Sequence, residues 1–355
     1  MSITNAKPRA WHDGNHFTWR AAAATGLLGL LVACGGGGSD AGSTGTPGAT
    51  PIMRAEAQVG DYFTYVVMET TTVPASVPVS AYNSTVAYRS VAADGTNQRV
   101  TTWSTGQAAG LRTYDVNDAV VSNDSYSGSG VVICSYSPSA PVAPPYPRAV
   151  GQSWNGTSQF TCRVSSAAIV QAGQILARET LSLPAGIFDA YRAVRTSTAT
   201  GATGVSKEES TCWYGVDRGV LLACNYTNTT TPVGSSTPAS VISYTQLLTG
   251  LGGPNRVAQG VQLSRFQGPW NVKYSGGSSG TCNLLAVSAS GDINGSCSNT
   301  ASATFTVTGT VNESGVVNIH LPGGGALIGN LSTIYSGSGT WSDAGLTGTW
   351  TAMHN

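Results

Sequence analysis

Of the side chains able to do chemistry, histidine is the scarcest: the 355-residue chain holds four, His12, His16, His320 and His354. A Ser-His-Asp hydrolase needs one positioned base, and a metal centre commonly draws on two or three imidazoles. His320 alternates with Ile319 and Leu321, which predicts a solvent-facing position on a strand, and His354, the penultimate residue, reads as a frayed end. Gly276-Gly277-Ser278-Ser279-Gly280 spells the GxSxG nucleophile string. That string works at a sharp strand-to-helix turn, whereas here it joins two strand-like segments and reads as a hairpin turn. Paired carboxylates would serve glycoside hydrolysis, with Glu69, Glu179, Glu208 and Glu209 as the strand-borne candidates; surface or wall positions are the simpler reading. Asp115, Asn117, Asp118 and Asp124 offer the oxygen ligands that Ca²⁺ prefers, yet Asp and Asn are also the preferred turn residues. These residues nominate no catalytic residue, no metal site and no cofactor.

Cysteine is more informative. There are seven, and setting Cys34 aside leaves Cys134, Cys162, Cys212, Cys224, Cys282 and Cys297. An even set in an exported chain predicts three disulfides. Folding 282–297 symmetrically about Ala289 and Ser290 puts Cys282 opposite Cys297 and Ala286 opposite Ile293, with Leu284 on the same core face. Cys212 and Cys224 flank the turn Gly215-Val216-Asp217-Arg218-Gly219 in the same way, which leaves Cys134 with Cys162. Zinc is disfavoured, because no CxxC is present and histidine is nearly absent.

These residues must be positioned by elements, and the composition points to β. Charged residues are only 10% of the chain against 45 Gly, while hydrophobic residues reach 41%. Surface helices draw on Glu, Lys and Arg to stay soluble, so a cytosolic helical protein is excluded, while a chain this apolar can bury a core. Zero formal net charge and the lack of a basic cluster argue against nucleic acid. The start carries Lys7, Arg9 and Arg20, then the apolar run 21–33, too short for a membrane span of about 20 residues but right for a signal-peptide core. Removing residues 1–33 takes three basic residues and one acidic one, leaving 14 positive and 16 negative charges. Residues 34–52 then read as Cys34 and a Gly/Ser-rich flexible tether.

From Val59 onward the pattern is strand-like. Tyr62–Val73, 100–103 and 131–136 are rich in β-branched and aromatic residues between turn signals. Prolines 138, 141, 144, 145 and 147 form a connector, and 167–179 reads as strand despite a helical length, because Gly173 and the β-branched pair Ile169-Val170 weaken a helix there. Residues 53–250 form a first module, 251–264 a linker and 265–355 a second. In the second, Phe266, Gly268, Trp270, Val272 and Tyr274 alternate with the period of a half-buried strand, and Gly-Thr-Trp occurs at both 339–341 and 348–350. The expected fold is all-β: a curved antiparallel sheet or half-barrel, then a small meander barrel or sandwich.

Leu31-Val32-Ala33-Cys34 followed by Gly35 resembles the lipobox of bacterial lipoproteins. That resemblance implies acylation of Cys34, and a Gly rather than Asp after the cysteine implies the outer membrane. The stretch Leu181–Tyr191, containing Pro184-Ala185-Gly186-Ile187-Phe188-Asp189-Ala190, with Val150–Trp154 before it and Trp213–Val220 after it, resembles a β-rich lipoprotein module of curved antiparallel sheet. The 265–355 segment resembles Gly/Ser/Thr-rich β modules of lipoprotein C-termini. The Cys212–Cys224 pair departs from the first module's usual pattern, and neither resemblance supplies a catalytic residue.

The expected function is therefore that of a membrane-anchored envelope lipoprotein acting as a non-enzymatic binding or structural module. Its partners are the membrane, through acylated Cys34, and a glycan, lipid or envelope-protein ligand met by displayed aromatic rings. Two alternatives stand beside it: a half-barrel over 53–250 carrying an acyl or other apolar ligand, which needs a continuous apolar concave face, and a carboxylate-dependent surface hydrolase, which needs two carboxylates at one cleft.

Overall fold

The structure, a computed structural model, describes residues 57–354 apart from 74–76, 105–109, 128, 129, 164, 217, 218, 255 and 332–335. It is all-β in two antiparallel sheets, as the alternation and turn spacing predict. The first sheet runs as a thirteen-stranded meander from the strand Tyr62–Val73 to the strand Arg256–Gly260. It is not left open as a half-barrel. Tyr62–Val73 pairs on one side with Val77–Val91 and on the other with Ser240–Gly253, so strands one to twelve form a closed ring. The second sheet is a closed barrel of eight strands, from Gly268–Gly276 to Leu346–His354, and these two strands pair with each other. Closure removes the exposed edges of both rings, which would invite aggregation, and leaves one only on the short strand Arg256–Gly260.

The stretch 251–264 is only partly a linker. Leu251, Gly252 and Gly253 finish the twelfth strand, and Arg256–Gly260 adds a thirteenth by pairing with it. The connector proper is short and is held to the first barrel. Thr85 Oγ1 donates to Ser264 O (3.3 Å), Asn83 Nδ2 to Gln267 Oε1, and Tyr62 OH to Gln262 while accepting from Arg265 Nη1 (2.6 Å). Its 3₁₀ turn, Leu263–Phe266, buries Phe266 beneath the second barrel, where the indole of Trp270 donates to Phe266 O (2.8 Å).

Each disulfide joins facing positions on neighbouring antiparallel strands. Cys134–Cys162, Cys212–Cys224 and Cys282–Cys297 have Cα separations of 4.3, 4.0 and 3.8 Å. In the chain-entropy account, loops of this size stabilise by about 3 kcal/mol each. The register beyond Cys282 differs from the symmetric hairpin: a bulge between Asn283 and Ala286 sets Ala286 opposite Asn294 and Val287 opposite Ile293. An extra residue in one strand shifts all later pairings by one, and Val287 thereby becomes the buried partner of Ile293.

The repeated Gly-Thr-Trp has a packing cause. Gly339 faces Trp350 and Trp341 faces Gly348 across the last two strands, so each indole lies over the glycine of the other motif. Both rings are buried, and their N–H groups donate to the wall, Trp341 to Ser275 O (3.0 Å) and Trp350 to Ile328 O (3.2 Å) and Thr340 O (3.1 Å). The first barrel repeats the device: Gly173, opposite Trp154 across two strands, leaves the space that the indole fills.

His354 is not frayed. It ends the last strand, is 8% exposed, lies tilted against Trp270 at 4.7 Å between centroids, and hydrogen-bonds through Nε2 to Gln267 O (3.0 Å). Barrel closure requires the last strand, so proximity to the terminus does not free it.

Two predictions concern stability. Gly173→Ala forces a Cβ into the Trp154 ring, and overpacking of this kind costs about 1–3 kcal/mol; a drop of several degrees in melting temperature is expected, and an unchanged melt would contradict this packing. Burial pushes the His354 imidazole from its ordinary 6.5 down to about 4, the hydrogen bond to Gln267 opposing it only in part. The unfolded chain then binds the proton more readily than the folded one. Stability from the neutral ring is complete above about pH 6.5 and is lost as pH falls toward 4, on the order of 3 kcal/mol in all. The gap in melting temperature between the parent and His354→Gln should narrow across that window; a pH-independent gap would refute the assignment.

Candidate functional site

The second barrel is a cup. At one end the turns 288–291 and 312–315 meet the 3₁₀ turn: a Cβ on Gly291 would touch Leu263, and one on Gly315 would touch Phe266. Trp270, Phe266 and His354 fill that end, leaving a space of only about 20 Å³ among Val272, Ile293, Val317 and Trp350. At the other end, four hairpin turns surround a cavity of about 230 Å³ that opens to solvent. An eight-stranded barrel is just wide enough for its side chains to fill or for one small ligand, and this barrel does one at each end.

The cavity floor is the Cys282–Cys297 disulfide and Leu327; its walls are Tyr274, Phe305, Leu321 and Trp341. Tyr274 and Trp341 meet edge to face at 5.7 Å. Tyr274 OH donates to Ser298 O (3.3 Å) and the Trp341 indole to Ser275 O, so the polar tips are satisfied within the barrel wall. The rim carries Ser278, Asn299, Asp343 and Leu346. Asp343 Oδ1 is buried and has no hydrogen-bond partner among the described residues. The glycine turn packs its backbone on this carboxylate, and a Cβ on Gly323 would sit 2.6 Å from Oδ1.

The first barrel is lined differently. Its inner wall has an apolar side, where Phe63, Tyr65, Val67, Leu222, Ile242 and Leu248 cluster with Leu181, Ala185 and Phe188 of the long hairpin Ser165–Leu183/Gly186–Gly201. The remainder is arginine and tyrosine. Arg99 pairs with Asp118 and lies over Tyr114 (4.0 Å) and Tyr88 (4.8 Å), while Arg148 approaches Asp118 at 3.8 Å and lies over Tyr146 and Tyr214. Arg195 pairs with Glu208, and Tyr226 stacks on Tyr244 at 4.6 Å. Burial first, then Glu69, pushes Tyr82 up to about 12; burial likewise raises Tyr226 and Tyr244, so these phenols stay protonated donors. Such a wall is not the continuous apolar face that an acyl carrier needs.

The other sequence candidates disperse. Cys34, the signal segment and the tether lie outside the described residues. Glu179 accepts from the Trp213 indole (2.6 Å) and faces Arg192 (3.4 Å); Glu209 pairs with Lys207 at the surface; Glu208 is held by Arg195. Glu69 sits on the inner side near Tyr82 and Tyr244, its carboxyl pushed up by burial. Asp115 Oδ1 caps its own turn, accepting from the N–H of Asn117 (2.8 Å) and Ala119 (3.0 Å), and Asp118 is committed to Arg99. Among the described residues, no group of three or more His, Cys, Asp and Glu is placed to hold a metal ion. His320 is exposed on the strand Val316–His320, and Ser278 sits in a hairpin turn at the cup's rim.

The sequence reading did not single out Asp343 or Leu346. Their signal was weak, since an Asp beside Ala344-Gly345 is what any tight turn would carry. Tyr274, Leu321 and Trp341 were visible as strand residues, but only the common end of four hairpins makes them, with Phe305, one cavity.

No family model matches the sequence, and no curated protein does. Among solved structures, the chain is similar to the hypothetical lipoprotein YmcC from Escherichia coli K12, at 12% identity over 55% of this chain and 90% of that one, with a TM-score of 0.29. A protein from Parabacteroides distasonis described as a lipoprotein is similar at 11% identity over 55% of this chain and 97% of its own, again with a TM-score of 0.29.

Proposed function

We propose that the chain is an envelope lipoprotein, acylated at Cys34 and directed to the outer membrane, that presents the cup of its second barrel as a non-enzymatic binding module for a small organic molecule. The observation that carries the binding role is the cavity itself: an aromatic-lined space at one end of a barrel whose other end is nearly filled by side chains. A volume of about 230 Å³ falls below the roughly 300–1,000 Å³ of sites for drug-sized ligands, so the ligand is small. A disulfide floor and a closed sheet give the cup a rigid wall, which lowers the ordering cost of binding.

The anchor is supported by the sequence 21–39 and by the exported character of a chain with three disulfides. Two or three acyl chains would hold it firmly, at about 0.8 kcal/mol for each buried CH₂. Three of the four carboxylates considered for hydrolysis, Glu179, Glu208 and Glu209, are better explained as partners of Arg192, Trp213, Arg195 and Lys207.

The anchor is tested by radiolabelled palmitate: incorporation should be lost in Cys34→Ser, and retained label would overturn it. The cup is tested by calorimetric titration of the soluble Cys34→Ser form with 2-phenylethanol. Saturable binding to one site is expected, abolished when Leu346→Trp fills the mouth. No binding by the parent, or unchanged binding by the blocked variant, would remove the cup from consideration.

A further inference from the structure

We infer that the cup selects an organic amine, its ammonium seated on Asp343 and its apolar body lying against Tyr274, Phe305 and Trp341. The inference rests on the reading of the cup as a binding site and adds the charge of the ligand. Asp343 is the only carboxylate among the residues that line the cavity, and no Lys, Arg or His is among them; the other polar ones, Ser278 and Asn299, are neutral and the rest are apolar or aromatic. One of its oxygens is buried and unpartnered among the described residues, and none of the ion pairs there includes it. A carboxylate only accepts hydrogen bonds, and a buried acceptor left unpaired is costly. That oxygen lies beneath the glycine turn, so the rest of the carboxylate, which lines the cavity, is the acceptor offered to a donor there.

The walls cannot supply one. Tyr274 OH and the Trp341 N–H both point their protons into backbone carbonyls, which leaves ring faces and edges toward the cavity. Aromatic faces beside a carboxylate favour a cation, because the ring quadrupole attracts positive charge. A hard metal ion fits poorly, since Ca²⁺ takes six to eight oxygens and this lining is dominated by carbon. A neutral donor would satisfy the carboxylate, but a charged one makes a hydrogen bond roughly twice as strong. The glycine turn 323–325 presses backbone against Asp343 and leaves the carboxylate little freedom to swing to solvent.

The test compares 2-phenylethylamine with 2-phenylethanol, which match in shape and differ in charge, by calorimetric titration of the soluble Cys34→Ser form at fixed salt. The amine should bind about tenfold more tightly or better, the difference between charged and neutral hydrogen bonds. In Asp343→Asn, checked for an unchanged fold by its melting curve, that preference should collapse to within about twofold. Equal affinities in the parent, or a preference that survives Asp343→Asn, would overturn the amine assignment and leave the cup standing. Failure of both probes to bind the parent would remove the cup and this inference together.

Discussion

Both modules depend on one constraint: each sheet must close on itself, and the strands that close it come from opposite ends of the module. In the first barrel Tyr62–Val73 meets Ser240–Gly253; in the second Gly268–Gly276 meets Leu346–His354. Closure decides what faces inward, and hence what the interior can do. A ring of twelve strands encloses more width than apolar side chains fill, and the structure spans it with arginines lying on tyrosine rings and anchored by Asp118 and Glu208. Those ion pairs are well enclosed, and in that position removal of one partner is more harmful than its presence is helpful. A ring of eight strands needs no such device, because indoles over glycines occupy most of its width.

The same closure gives the second barrel its polarity. Its two ends differ because the chain enters through one of them, carrying Phe266 into the opening and laying Gln267 against His354. The opposite end has only hairpin turns, whose side chains line the opening without filling it. The cavity is thus a consequence of where the connector docks. The disulfide at its floor adds a cross-link between strands that also form its wall.

Much of this architecture was legible in the residues. Strand alternation around Trp270 and Tyr274, the facing of Cys282 and Cys297, and the flanks of Gly215–Gly219 are local features, and local features survive translation into structure. What was hidden is nonlocal. Pairing of Tyr65 with Leu248 spans most of the first module, and no short-range pattern announces it. The bulge before Ala286 leaves no mark stronger than two adjacent leucines. His354 looked free because terminal residues usually are, yet the closing strand is terminal here. The Gly-Thr-Trp repeat was plain as a string, but its meaning, each motif seating the other's ring, exists only once the two strands are in register. Asp343 was indistinguishable from a turn residue until four turns were seen to share one end.

Closure by distant strands also sets an order of events for a chain that emerges from synthesis N-terminus first. Once the twelfth strand has emerged, the first module holds everything its ring requires, and its two disulfides lie wholly within it. The second cannot complete its ring until the segment ending at His354 has arrived, although Cys282 and Cys297 are available earlier. During that interval the incomplete sheet exposes two unpaired margins, and the cysteine staple limits how far it can wander. The late-arriving strand brings Trp350 and His354 with it, so sealing the sheet, filling its base and shaping the cavity are a single concluding step.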